Sequence, residues 1–475
     1  MEGIFKDLKP FEKAEYIIML MLAAAIPLHW FAAQVGEAAL LVCAAAKIVF
    51  EQKFQLNREQ LKYKWVYIIY ALTWLIYLIG MLYTENQWFG WIQVSKKLGF
   101  LIFPTIFLFS DMSYLTKKRV TAIGYALIAG CLLFFFIQLS LAFYDLIFNG
   151  CTSDRFFDEE LMKVIPVQHS YMSMYACLCL MFCFVEFFEN KSRKAKIINL
   201  LAYFTLVVMI ILLSSRAGLI WMVMTFIIQW AWLTFIMKKR VLGIIVGCLF
   251  VVMVIGSWML FPQSAERIKL TIMKLTTENQ SDHRLTQFKG YKEVIDENWL
   301  FGVGTGDRCD EMEISYMRYK EEIIEKIGPE VAGEIDKYIK KEWYEPWETM
   351  RENIMKKAEE YGRDPDMVNS YIIDYMYICY AIDKETNAHN MFIETLISVG
   401  VVGVMLLLAY FVLPIVLWIR QKRFDIFFFT FLMMVFFNAM FESVFERQLG
   451  IIFFCFFNSL MFYMSFISKP DKNNQ

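Results

Sequence analysis

The sequence predicts an all-α, polytopic membrane protein with about twelve transmembrane helices and one large helical loop. Three observations predict it. The 475 residues are 58% hydrophobic and only 20% charged, whereas soluble domains run nearer half apolar and a quarter charged. The excess is gathered in uncharged runs of about 20 residues, the length that crosses a bilayer as a helix. Lysine and arginine concentrate between alternate runs, as the positive-inside rule requires. This composition excludes a soluble enzyme, a disordered chain and a secreted disulfide scaffold. A net charge of -1 argues against nucleic-acid binding, which calls for a basic surface.

The predicted spans are roughly 15–33, 36–50, 64–83, 97–110, 120–145, 168–188, 196–214, 216–236, 241–261, 390–418, 424–442 and 448–467. The first lacks a small-residue cleavage site, and the chain re-enters the membrane almost at once, so it reads as a span rather than a signal peptide. Orientation follows from the basic residues. With both termini in the cytoplasm, the cytoplasmic loops hold Lys117-Lys118-Arg119, Lys191 to Lys196, Lys238-Lys239-Arg240 and Arg420 to Arg423. The short outer loops hold only Lys96, Lys97, Arg155, Lys163 and Arg447.

Residues 262–388 differ in kind and divide the chain into three parts: spans one to nine (1–261), an outer loop domain (262–388), and spans ten to twelve with the C-terminus (389–475). Asp310 to Glu385 holds 20 acidic and 11 basic residues. Ile323, Ile324 and Ile327 precede a Gly328-Pro329 break, and Val331, Ile335, Tyr338 and Ile339 recur at helical spacing after it. A small helical domain is expected, since the stretch is too long for a plain connection. Most of the ten cysteines lie in apolar runs as small hydrophobes. Cys309 and Cys379 could pair in an oxidising compartment, which sequence alone leaves open.

Ionisable groups are nearly absent from the middle of the spans, where a coupled transporter keeps them. Polar groups gather at the outer ends instead, including all four histidines: His29, His169, His283 and His389. His29 stands beside Trp30 and reads as interfacial.

Three motifs stand out. In Ser214-Ser215-Arg216-Ala217-Gly218, an arginine is wedged between two apolar runs on the outer side, so a topology-setting role does not account for it. Its guanidinium fork suits phosphate oxygens. His283-Arg284 opens an amphipathic helix and is followed by Gly302-Val303-Gly304-Thr305-Gly306, readable as a structural turn or as a source of anion-binding N–H groups. Ala388-His389-Asn390-Met391-Phe392 leads through Glu394 into Gly400-Val401-Val402-Gly403, and places a histidine at the mouth of a span. Two arginines can hold a pyrophosphate and neutralise it as it leaves, while a neutral histidine takes a hydroxyl proton. No metal or cofactor is called for. Asp364-Pro365-Asp366, the one D-x-D, reads as a turn or helix cap rather than a metal site.

These motifs, in this order, resemble the O-antigen ligase / O-antigen polymerase superfamily, over roughly spans six to twelve from His169-Ser170-Tyr171 to the chain end. The first five spans match only loosely, through Lys96-Lys97 leading to Pro104. The resemblance implies a multi-pass glycosyltransferase of the bacterial inner membrane with its site facing the periplasm. Such an enzyme takes a glycan from undecaprenyl pyrophosphate, with inversion and without metal. It passes the glycan to lipid A core in a ligase, or to a second lipid-linked glycan in a polymerase; the large loop between spans nine and ten leans toward ligase. Carried over by motif, Arg216 and Arg284 bind the pyrophosphate and His389 is the base. Ser215, Asn390, Glu394, His169, Lys97, Gly304 and Gly306 are the expected substrate contacts. The acidic helices within 310–385 look like an insertion beyond the minimal family loop. A transporter of lipid-linked glycans is the competing expectation, and would line a central cavity with cations.

Overall fold

The computed structural model describes residues 2–51, 58–165, 167–190, 192–248, 283–340, 347–384 and 387–468. Among them the chain is all-helical, with no strand. Among the described residues, eight helices are long and apolar enough to cross a membrane, and Lys64–Gly80 and Ile426–Phe441 are shorter apolar helices. This places the chain in the polytopic membrane class.

The helices in order are α1 (Pro10–Ala25), α2 (Trp30–Glu51), α3 (Lys64–Gly80), α4 (Gln87–Lys96), α5 (Gly99–Phe109), α6 (Lys117–Phe148), α7 (His169–Glu189), α8 (Arg193–Leu213) and α9 (Arg216–Ala231). After them come α10 (His283–Asn298), α11 (Arg308–Ile327), α12 (Pro329–Lys340), α13 (Trp347–Glu360), α14 (Pro365–Lys384), α15 (Met391–Gln421), α16 (Ile426–Phe441) and α17 (Gln448–Phe462). Short polar caps start several spans where an apolar run begins. Thr116 accepts from Arg119 N, Ser192 from Ala195 N, and Asp425 from Phe427 N and Phe428 N. The first helix ends at Ala25 rather than near residue 33. Pro27 has no N–H to continue the ladder, and Leu28 and His29 both donate back to the Ala25 carbonyl. Trp30 therefore begins the second helix. Of the ninth expected span, residues 240–248 are helical, and 249–261 lie outside the described residues.

The chain forms two compact units: Met1–Leu75, Lys96–Leu270 and Leu406–Gln475 make one, and Ile76–Ser95 with Thr271–Met405 makes the other. In the first, α17 is the most enclosed helix, with Phe453, Phe454, Phe456 and Phe457 fully buried. Tyr70 stacks on Tyr410 with ring centroids 3.8 Å apart, and Phe100 meets both Tyr410 and Phe454 edge-on. Apolar helices gain little by leaving lipid for protein, so close ring packing of this kind is what holds them together.

The second unit contains the helical loop domain. Ile323, Ile327, Val331 and Ile335 are fully buried in its core, on either side of Gly328 at φ +91°. The periodicity and the break expected there are both present. Burying each isoleucine is worth about 1.5–3 kcal/mol over leaving it in water. Asp364 Oδ1 accepts from Asp366 N at the head of α14, the cap its sequence suggested. Cys309 and Cys379 are free thiols.

Candidate functional site

In the first unit, the starts of α7 and α9 meet. Gly218 lies so close to α7 that a Cβ there would fall 2.3 Å from Ser173 Cβ. Ser173 itself donates to the His169 carbonyl one turn back, at 2.8 Å. Ahead of Gly218, Ser214 turns the chain at φ +50°, and Ser215 caps α9 by accepting from Gly218 N at 3.3 Å. Ser215 is therefore buried and committed to the helix start. Arg216, the first residue of α9, is exposed, and makes no hydrogen bond or ion pair among the described residues. Its charge adds to the positive end of a helix dipole. His169 opens α7 with Nδ1 3.7 Å from Asp158 Oδ1, a contact that becomes an ion pair when the ring is protonated.

Lys97 is 1% exposed, and its Nζ lies 2.9 Å from Glu446 Oε1. Glu446 belongs to the connector from α16 to α17, which also receives Gln168 Nε2 at Glu442 and the Tyr171 hydroxyl at the Ser443 and Val444 carbonyls. The connector joins Lys97 to the start of α7, and sequence reasoning missed its two glutamates as partners. A buried lysine between apolar runs was the signal that an acid had to be found for it.

In the second unit, the two glycine motifs bind each other. α15 is interrupted at Val399 and Gly400, and Gly400 has φ +69° and ψ −170°. Residues 299–304 supply the backbone partners that the break leaves open. Val303 N donates to Ile397 O at 2.8 Å, Gly304 N to Ser398 O at 3.1 Å, and Val401 N to Trp299 O at 2.9 Å. A Cβ on Gly302 would lie 2.6 Å from Ile397 O, and one on Gly400 would lie 2.1 Å from Leu300 O, so the backbones touch where a side chain would stand. Gly306 N donates to Thr84 Oγ1 at 3.3 Å, and Asp307 accepts from Glu85 N at 2.8 Å and Asn86 N at 2.7 Å. The N–H groups of Gly304 and Gly306 are thus taken up within the unit, and the geometry displayed is that of a structural turn.

Glu394 is buried in the first turn of α15, with Oε2 2.8 Å from Arg308 Nη1 and Oε1 accepting from Ala388 N. Arg308, also buried, was not singled out in the sequence. Asn390 Oδ1 caps α15 by accepting from Phe392 N and Ile393 N. His389 is exposed at φ +47°, its N–H donating to Asn387 Oδ1 at 3.1 Å.

The start of α10 is anchored beside this segment. Gln287 Nε2 donates to the Asn387 carbonyl at 3.3 Å, and Thr286 donates to the buried Asp374 carboxylate. Asp374 also accepts from the Tyr319 hydroxyl at 2.8 Å and pairs with Lys289 at 3.3 Å. Burial pushes the Tyr319 phenol up to about 12, and the Asp374 charge adds to the effect. Arg284 is the second residue of α10, one turn before Gln287; its side chain lies outside the described residues. The backbone bearing Arg284 therefore comes beside the His389 segment within one unit. Arg216, Ser215, His169 and Lys97 belong to the other unit. Among the described residues, no three of His, Cys, Asp and Glu are gathered as a metal site would gather them. No protein-family model matches the chain, and no curated protein matches it.

Proposed function

We propose that the chain is a membrane glycosyltransferase that moves a glycan from a lipid-linked pyrophosphate donor to an acceptor hydroxyl. The observation that supports it most is the Gln287–Asn387 bond, which draws the turn carrying Arg284 to the segment carrying the exposed His389. The arginine at the head of α9, which makes no hydrogen bond or ion pair among the described residues, is the other cation of this reading and suits phosphate oxygens. In the reaction, the acceptor oxygen attacks the anomeric carbon from the face opposite the leaving group. The anomeric C–O bond breaks, the configuration inverts, and the lipid pyrophosphate leaves with the bonding pair. His389 takes the acceptor proton, and Arg216 and Arg284 hold the charge that builds on the pyrophosphate. General-base removal costs about 10²–10⁴ in rate, and removal of one charge-stabilising group about 10²–10³.

The test is a strain lacking the protein, complemented with wild type, Arg216→Ala, Arg284→Ala or His389→Ala. Lipopolysaccharide is sized and the lipid-linked glycans are extracted. Long glycan left on the carrier with bare lipid A core identifies a ligase, the expected result. Core carrying a single repeat identifies a polymerase. Full transfer by any variant that is present in the membrane removes that residue from the mechanism. Unchanged glycans in the deletion strain refute the reading as a whole.

A further inference from the structure

Residues 299–301 sit at an unusual place for a loop. Trp299 at their head and Val303 and Gly304 just after them bracket the segment with backbone hydrogen bonds to Val401, Ile397 and Ser398 of α15, an apolar helix of membrane-spanning length. Ile397 lies six residues into that helix, about 9 Å along its axis. Irregular backbone beside an apolar span survives only where its polar groups are satisfied by protein, and here the loop and the helix break satisfy each other. The side chains of the loop then point away from that pairing. Trp299 is 54% exposed, Leu300 40% and Phe301 62%.

The same unit exposes a second set of this kind. Leu82 and Tyr83 lie two and three residues past the end of the apolar helix α3, and Leu82 is 84% exposed. Trp88 and Trp91, one turn apart on α4, are 80% and 55% exposed. The two sets are tied together, since the Tyr83 hydroxyl donates to the Phe301 carbonyl at 2.6 Å. The Asp307 carboxylate, six residues after Phe301, holds the amides of Glu85 and Asn86.

We propose that Trp299-Leu300-Phe301, with Leu82, Tyr83, Trp88 and Trp91, forms an aromatic belt seated in the headgroup–acyl boundary of the lipid bilayer. The occupant is lipid for two reasons on the structure itself. The Leu82–Trp91 part of the belt follows the apolar helix α3 in the chain and the Trp299–Phe301 part is held to the apolar helix α15 through the Trp299 carbonyl, and tryptophan and tyrosine are the side chains that favour that boundary, with an apolar body and a polar edge. A patch of this size facing water would be an aggregation surface. Lipid seating also fixes the depth of the glycine turn at 302–306 and of the α15 break it supports. The inference holds whether or not the chain transfers a glycan.

The test places a photoreactive benzophenone analogue of phenylalanine singly at positions 88, 299 and 301 of the full chain, in vesicles of phosphatidylethanolamine and phosphatidylglycerol. Position 361 serves as the control, because Tyr361 is also exposed but lies in the turn between the helices α13 and α14 of the loop domain. After illumination, adducts are identified by mass spectrometry. Phospholipid acyl adducts at 88, 299 and 301, and none at 361, are expected. Equal lipid labelling at all four positions, or no lipid adduct at 299 and 301, overturns the belt. Protection of these positions by a soluble glycan overturns it also, since that marks a sugar-stacking platform. Each substitution keeps an aromatic ring at an exposed site, so loss of folding does not confound the result.

Discussion

Replacing Gly400 with alanine should undo the pairing between the loop at 299–304 and α15. Two costs combine. At φ +69° and ψ −170°, Gly400 occupies a region open essentially to glycine alone, and a side chain there costs about 1–3 kcal/mol. The added Cβ would also stand 2.1 Å from Leu300 O, 2.4 Å from Leu300 C and 2.6 Å from Phe301 N. These are backbone atoms and cannot rotate away, so the loop must retreat. Its three hydrogen bonds to Ile397, Ser398 and Val401 are then lost. At about 1 kcal/mol net each they add roughly 3 kcal/mol, and more where no water replaces them. The total is about 4–6 kcal/mol, or roughly three to four decades in the local opening equilibrium at 1.4 kcal/mol per decade. Hydrogen exchange of the Val303, Gly304 and Val401 amides in detergent reads this directly. Gly333→Ala is the control, because Gly333 lies in α12 with nothing within 4 Å of its Cβ position. It should be neutral or slightly stabilising. Wild-type protection at all three amides in Gly400→Ala would refute the pairing.

Three further outcomes are expected. Asp307→Ala should expose the Glu85 and Asn86 amides to exchange, at a cost of about 3 kcal/mol for two charge-assisted hydrogen bonds, with Asp307→Asn intermediate; unaltered exchange at both amides would count against the cap. Lys97→Met should destabilise the detergent-solubilised chain by about 3–5 kcal/mol, because it removes the buried ammonium that pairs with Glu446; adding Glu446→Leu should recover most of the loss in thermal unfolding. Tyr319 is raised by burial and by Asp374, and Lys289 is raised because its bonds to Tyr319 and Asp374 outweigh its burial. Both groups keep their protons longer in the fold than in the unfolded chain. Their stabilisation is complete below about pH 10 and declines as pH rises through the folded values. The phenolate absorbance lost in Tyr319→Phe should therefore titrate near pH 12 rather than with the remaining exposed tyrosines.

Local signals were legible in the sequence and pairings were not. Run length gave the apolar helices, and helical spacing gave the Ile323–Ile335 core with its Gly328 break, because both are written within a few turns of chain. Pro27 ended the first helix early, and a hydropathy run does not register a missing N–H. The two glycine motifs were each visible, yet their pairing joins residues about a hundred positions apart and leaves no local pattern. Arg308 was hidden among the charges of the loop. Its partner was the better clue: Glu394 lies a turn inside an apolar span, and a buried acid there requires a cation. Asn390, expected at the substrate, is visible in the sequence equally well as the helix cap it forms.

The motifs divide by physical role, and the division decides what each variant can teach. The glycines of 302–306 and 400 carry close backbone contacts, with N–H groups engaged inside the unit, so a substitution there alters the fold before it alters any chemistry. Arg216 is the opposite case. Ser215 holds the α9 start whatever follows it, and no described group rests on the guanidinium, so Arg216→Ala removes a charge and little else. Lost transfer in Arg216→Ala with an intact fold therefore speaks for the chemistry. Lost transfer in Gly400→Ala speaks only for the scaffold. If Gly400 proves indispensable for folding while Arg216, Arg284 and His389 prove dispensable for transfer, then the motif order that resembles a glycosyltransferase is a packing device for a broken membrane helix. Such a device would be expected in chains of unrelated chemistry, because any apolar span interrupted by a glycine must find the same backbone partners.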